Sequence, residues 1–234
     1  VRVYQFYFEP ARYNPASGEL KITHQARVRV DFRGGDPAAT EELLRKTASF
    51  EFEKLYRATL FNWRADDRDW VVRTPVKMLI LCPASYTSYI QPFVDWKNQQ
   101  GIQTSVTTVG TGGTVTNSAA SIKTYLQNLW NNATAGNPMP TYLLIVGDVS
   151  GTIGIVTNTG GTGTHPTDLT YARLNGTDYL PELYYGRFSV ASSTELQQVV
   201  SKPIIYEKTE MPHLSYLGRV VMIAGADPSH RPIE

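Results

Sequence analysis

One cysteine in 234 residues, Cys82, leaves no possibility of a disulfide within the chain, so whatever holds the fold together is packing and hydrogen bonding. No run approaches the ~20 consecutive apolar residues of a membrane-spanning helix. The opening VRVYQFYF lacks the basic, apolar and small-residue parts of a secretory signal, so a soluble segment without its targeting signal is expected. An excess of charge of one sign is also missing. Lys and Arg number 22 against 21 Asp and Glu, a formal net charge of +1, which gives no broad field for steering nucleic acid or an anionic membrane. Neither GxGxxG nor GxxxxGK[ST] occurs, and the four histidines show no zinc-ligand spacing. The sequons at Asn132 and Asn175 matter only in a glycosylating host and read as chance.

What is present is a core-forming composition, 41% hydrophobic with 14 Tyr, in a length that suits one large domain or one domain and a smaller piece. Residues 1–33 alternate like two strands, VRVYQFYF and LKITHQARVRVDF, around an Asn-Pro and Ser-Gly turn, which predicts a β-hairpin. A lone hairpin is marginal in water, so it is expected to belong to a β-rich region or to pack on the later part of the chain. Residues 34–74 read as a helical passage, with Leu43, Leu44, Phe50, Leu55 and Leu60 near helical spacing and Ser49 as an interruption, followed by the charged connector RADDRDWVVRTP.

From residue 75 the pattern becomes alternating strand and helix. VKMLILC and TYLLIVGD are apolar without alternation, the mark of strands covered on both faces, so residues 75–234 are expected to form an α/β domain with a parallel sheet. ELYYGRFSV reads as an edge strand, TELQQVVSKPIIYEK as a helix kinked or shortened by Pro203, and GRVVMIAGA as a last strand. The Gly-rich stretch after TYLLIVGD reads as a mobile surface loop, and Asp168 within THPTD as a turn cap and a weak ligand contact.

The chemistry-bearing residues are few. Cys82 ends a buried strand and reads as a small hydrophobe rather than a nucleophile. NGTDYLPE places Asp178 and Glu182 four residues apart with Gly176 allowing a sharp bend, and Asp148 ends a strand. Together these are either ordinary polar turns or oxygen donors for a hard cation such as calcium.

FVDWKNQQGIQTSV, TYLLIVGD, NGTDYLPELYYGRFS, TELQQ and IIYEK resemble, in order and spacing, the amino-terminal half of the peptidase domain of gingipain-type cysteine peptidases. RYNPASGEL with ITHQARVRVDF resembles the end of that family's propeptide. The resemblance implies a caspase-like α/β/α sandwich with a mostly parallel sheet, preceded by a β-hairpin from a propeptide-like β region. It implies secretion or display on the bacterial surface, polypeptide substrates, and hydrolysis by a Cys-His dyad. The family's Gly-His-Gly pattern and strand-ending Cys are absent here, so the dyad is expected beyond Glu234, on the same polypeptide or on a companion chain. No catalytic residue is assigned within these 234 residues.

The resemblance also implies a structural calcium ion, held by carboxylates of Asp148, Asp178 and Glu182 and by main-chain carbonyls of Asn175 and Leu180. It places the junction between propeptide and peptidase domain at Arg73-Thr74, a maturation site. A sortase-like transpeptidase and a non-catalytic scaffold or adhesion module with the same fold are the rival readings.

Overall fold

The computed structural model describes residues 5–31, 33–47, 49–61, 75–159, 165–176 and 178–222. The first two strands, β1 (Ala11–Asn14) and β2 (Glu19–Ile22), pair antiparallel with Ala11 opposite Ile22 and Asn14 opposite Glu19. A hairpin therefore forms around the expected turn, but its first strand is Ala11–Asn14 rather than VRVYQFYF, whose described residues 5–8 are not strand, and its second stops at Ile22. Gly18 closes the turn at φ 69°, in the left-handed region glycine tolerates, and its N–H donates to the Asn14 carbonyl. Every residue of both strands is exposed.

Two helices come next, α1 (Pro37–Thr47) and α2 (Phe50–Thr59). They are separate because Ser49 leaves the helical conformation, and its hydroxyl accepts from the Glu51 N–H as an N-cap. Both touch the sheet at the ends where its strands begin. The Met139 N–H donates to the Lys46 carbonyl at 3.0 Å, the Thr141 hydroxyl donates to that of Ser49 at 2.9 Å, and the Phe52 ring lies 4.9 Å from that of Tyr184.

The sheet is built by β3 (Lys77–Pro83), β4 (Gln103–Val109), β5 (Tyr142–Val146) and β8 (Tyr184–Phe188), in the order β4-β3-β5-β8 and all parallel. Two short strands, β6 (Asn158–Thr159) and β7 (Pro166–Thr167), pair by themselves. Helices α3 (Thr87–Gln99), α4 (Ala119–Asn131), the one-turn α5 (Leu169–Ala172) and α6 (Ser193–Glu207) cover the sheet.

Alternate residues of the central strands sort into two cores. Leu79, Leu81, Leu143 and Ile145 pack with Ile122, Leu126 and Trp130 of α4 and Tyr171 of α5, whereas Ile80, Cys82, Leu144 and Val146 pack with Ile90 and Phe93 of α3 and Leu196 and Val200 of α6. That division is the α/β/α sandwich expected from the sequence, and it explains why β3 and β5 read as unbroken apolar runs. Each fully buried Leu or Ile contributes about 1.5–3 kcal/mol. Ser118 and Ser192 cap α4 and α6 by accepting from Ser121 and Glu195 N–H groups.

Two segments bear on the expectations for the end of the chain. Helix α6 is not shortened at Pro203 and runs on to Glu207, close to its expected length, secured at that end by Glu207, which accepts hydrogen bonds from Trp96 and Lys97 of α3. GRVVMIAGA does not extend the sheet where it is described: residues 219–222 have no strand partner, and Val220, Val221 and Met222 are 82–90% exposed. An apolar run becomes a strand only when an open edge lies beside it, and no edge of this sheet meets these residues. The remainder of that segment lies outside the described residues.

Candidate functional site

Strand β3 feeds α3 on one face, while β5 feeds α5 on the other. The order β4-β3-β5-β8 therefore reverses its winding between β3 and β5, and the crevice outside the carboxyl ends of such strands is where open α/β sheets place ligands. Residues 147–156 leave β5 at this point.

Within the expected Gly-rich loop, residues 147–156 are tied down by buried side chains and backbone hydrogen bonds. Gly147 has φ 111°, and a Cβ there would lie 1.6 Å from the Ile153 carbonyl oxygen, so only glycine lets the chain fold back this closely. Ile153 is buried in the core beneath α3 and α6, and Ile155 in the core beneath α4. The Asp148 N–H donates to the Val190 carbonyl, and its own carbonyl accepts from Ile155 N–H at 2.8 Å.

Two side chains grip the segment from either side. Asn117, just before α4, donates from Nδ2 to the Gly154 carbonyl at 2.8 Å and accepts at Oδ1 from Val156 N–H at 3.1 Å. Arg187 of β8 donates from Nη1 to the carbonyls of Gly147 (2.8 Å), Asp148 (3.2 Å) and Ile155 (2.9 Å). Its Nε and Nη2 form a two-point pair with Asp168 at 2.8 and 2.7 Å. Side-chain exposures of 11% and 13% make this a buried ion pair, tolerable because Nη1 also finds carbonyl acceptors. Asp168 thus makes no side-chain cap for α5 and is bound by the arginine instead. Spacing along the chain does not reveal Arg187. It is the only basic residue in ELYYGRFSV, and nothing local ties it to Asp168.

Cys82 lies at 0% exposure, and burial pushes its thiol from 9.0 up to about 12, so it is protonated at neutral pH and no nucleophile. His24, His165 and His213 are exposed, and His230 lies outside the described residues.

The five residues assigned to calcium do not come together. Asn175, Asp178, Leu180 and Glu182 share one exposed turn leading into β8, at the end of the sheet where strands begin. Asp148 comes after β5 at the other end: Val146 pairs with Phe188, six positions after Glu182, so at ~3.3 Å per residue the carboxylates are on the order of 20 Å apart. No ion with ligands at about 2.5 Å bridges that span. Asp148 instead accepts from Val149 N–H and the Ser189 hydroxyl.

Within the turn, Glu182 Oε2 accepts from the N–H groups of Leu174 (2.5 Å) and Asn175 (3.1 Å), and Asp178 Oδ1 from Leu180 N–H (2.9 Å). One oxygen of each carboxylate is thereby used to shape the turn, and the donor set left to a hard cation consists of the other two with the Asn175 and Leu180 carbonyls. Among the described residues, no three His, Cys, Asp or Glu side chains converge as metal ligands. Arg73 and Thr74 lie outside the described residues. A hollow of about 290 Å³, lined by Lys77, Gln103, Tyr125, Asn137 and Met139 among others, opens where β3 and β4 begin, away from the crevice.

Comparison with known proteins agrees with this architecture. Lys-gingipain W83 of Porphyromonas gingivalis is 34% identical over 98% of this chain, and gingipain R2 of the same species is 29% identical over 94%. The chain spans 13% and 29% of those two proteins. A solved structure described as "Structure of Protease" aligns with a TM-score of 0.59 and 36% identity, covering 67% of this chain and 33% of that one. The family model described as Peptidase family C25 matches residues 72–233, which takes in the whole parallel sheet and its covering helices. The chain belongs to peptidase family C25.

Proposed function

We propose that this chain is part of a cysteine endopeptidase that hydrolyses polypeptides and is secreted or displayed at a bacterial surface. The observation that carries the reading is the C25 match laid over a doubly wound sheet, together with gingipain relatives at 34% identity across nearly the whole chain. Hydrolysis in this class needs a thiolate beside an imidazole and backbone amides for the oxyanion. Cys82 does not fill that role, because it is sealed among Ile80, Ile90 and Val146. The dyad is assigned to residues other than these 234, on the same polypeptide or on a companion chain.

Two finer elements belong to the same proposal. Maturation at Arg73-Thr74 is supported by the family match beginning at residue 72, beside that bond. A structural calcium ion is proposed at the turn of Asn175, Asp178, Leu180 and Glu182, a reading supported by two carboxylates and two main-chain carbonyls that share one turn. The test is hydrolysis of fluorogenic peptides by the full-length protein, with amino-terminal sequencing of the mature form. Thiol-sensitive cleavage supports the reading; a full-length protein that cleaves no peptide overturns it.

A further inference from the structure

The 147–156 segment is held by more anchors than a connecting loop requires, and they come from three separate elements. Asn117 holds it from the approach to α4, Arg187 from β8, and the Asp148 backbone from Val190 beyond β8. Two of its side chains, Ile153 and Ile155, enter opposite cores. Between these anchors, residues 149–152 stay exposed at the carboxyl edge of the sheet, with Val149 40% exposed beside Ser150, Gly151 and Thr152. A small, rigid surface that mixes apolar and hydroxyl groups suits an extended polypeptide, whose side chains and main chain offer partners for both.

We propose that residues 149–152 form one wall of the polypeptide-binding cleft and that Arg187 is a positioning residue which, through the carbonyls of Gly147, Asp148 and Ile155, fixes that wall. The inference rests on the peptidase reading above. Arg187 touches no substrate. Its ion pair with Asp168 orients the guanidinium so that Nη1 faces the segment. Lysine keeps the charge but lacks the planar fork, so it cannot hold the carboxylate and three carbonyls together.

The experiment compares Arg187→Lys with Glu207→Gln in the full-length protein. Glu207→Gln loosens the distant α3–α6 contact and serves as the stability control. For Arg187→Lys the expected result is a rise in KM of about fivefold for peptide substrates with kcat nearly unchanged. Amide exchange at Gly154, Ile155 and Val156 should be about tenfold faster while Ile80 and Leu144 stay protected. Glu207→Gln should lower Tm without either change. Exchange at those amides equal in the two variants overturns the anchor, and faster exchange with an unaltered KM overturns the cleft wall. A protein that cleaves no peptide sinks the peptidase reading and the wall with it, while the exchange measurement still decides whether Arg187 anchors the segment.

Discussion

Lys97 Nζ lies 2.6 and 2.8 Å from the two carboxylate oxygens of Glu207, joining α3 to α6 across 110 residues of sequence. Trp96 Nε1 donates to the same carboxylate at 2.6 Å, and Lys208 sits over the Trp96 ring. The lysine side chain is 10% exposed and the glutamate 29%, so the pair is shielded from solvent far more than a surface salt bridge. Removing the carboxylate leaves a nearly buried ammonium that still donates to Gln100 but has lost its counter-charge. Glu207→Ala is expected to cost about 2–3 kcal/mol in chemical denaturation.

The same pair sets an acid limit. Burial raises the Glu207 pKa, but hydrogen bonds from Lys97 and Trp96 outweigh it and hold the group below its ordinary 4.5. A depressed folded value means the contribution is present above pH 4.5 and is lost as pH falls through the folded value. Tm measured downward from pH 5 should fall more steeply in the wild type than in Glu207→Gln.

An alkaline limit has the opposite sign. Burial lifts Cys82 from 9.0 to about 12, and burial, reinforced by Asp168, lifts Tyr171 from 10.0 to about 12. Raised folded values give stability that is complete below pH 9 and lost as pH climbs from 9 towards 12. Thermal unfolding across that range should show the loss, and Cys82→Ala should lessen it. In the native protein at pH 8, Cys82 should resist a thiol reagent that labels it readily after unfolding.

Gly147 is expected to be irreplaceable. Alanine there meets the Ile153 carbonyl at 1.6 Å and must adopt φ 111°. Gly147→Ala should therefore lose about 3 kcal/mol or more, read by denaturant unfolding.

Calcium binding provides a test of position. If the 175–182 turn holds the ion, Asp178→Asn and Glu182→Gln should abolish a Tm decrease on adding EGTA, whereas Asp148→Asn should leave that decrease unchanged. Equal loss in all three variants contradicts the separation of Asp148 from the turn.

The sandwich was legible because its causes are local. VKMLILC and TYLLIVGD are unbroken apolar runs since both their faces are buried, and Ser49 marks the break between α1 and α2 because its side chain satisfies an orphan amide. The site was less legible because its causes are not. Nothing in spacing shows that Asp148 comes after a strand while Glu182 precedes its parallel neighbour, so two acidic stretches that look like one site lie at opposite ends of the sheet. Arg187 and Asp168 meet only after β8 is laid beside β5, which is tertiary information. Residues 219–222 of GRVVMIAGA stay out of the sheet for the same reason, since an apolar run does not name its neighbour.

The proposed peptidase reading rests on a nucleophile other than Cys82, which is buried in the core. The most direct measurement is peptide hydrolysis by the full-length protein and its Cys82→Ser variant, each with and without iodoacetamide. Equal kcat is expected in the two proteins, abolished in both by the reagent. Loss of kcat in Cys82→Ser with Tm unchanged, or hydrolysis indifferent to iodoacetamide, would contradict it.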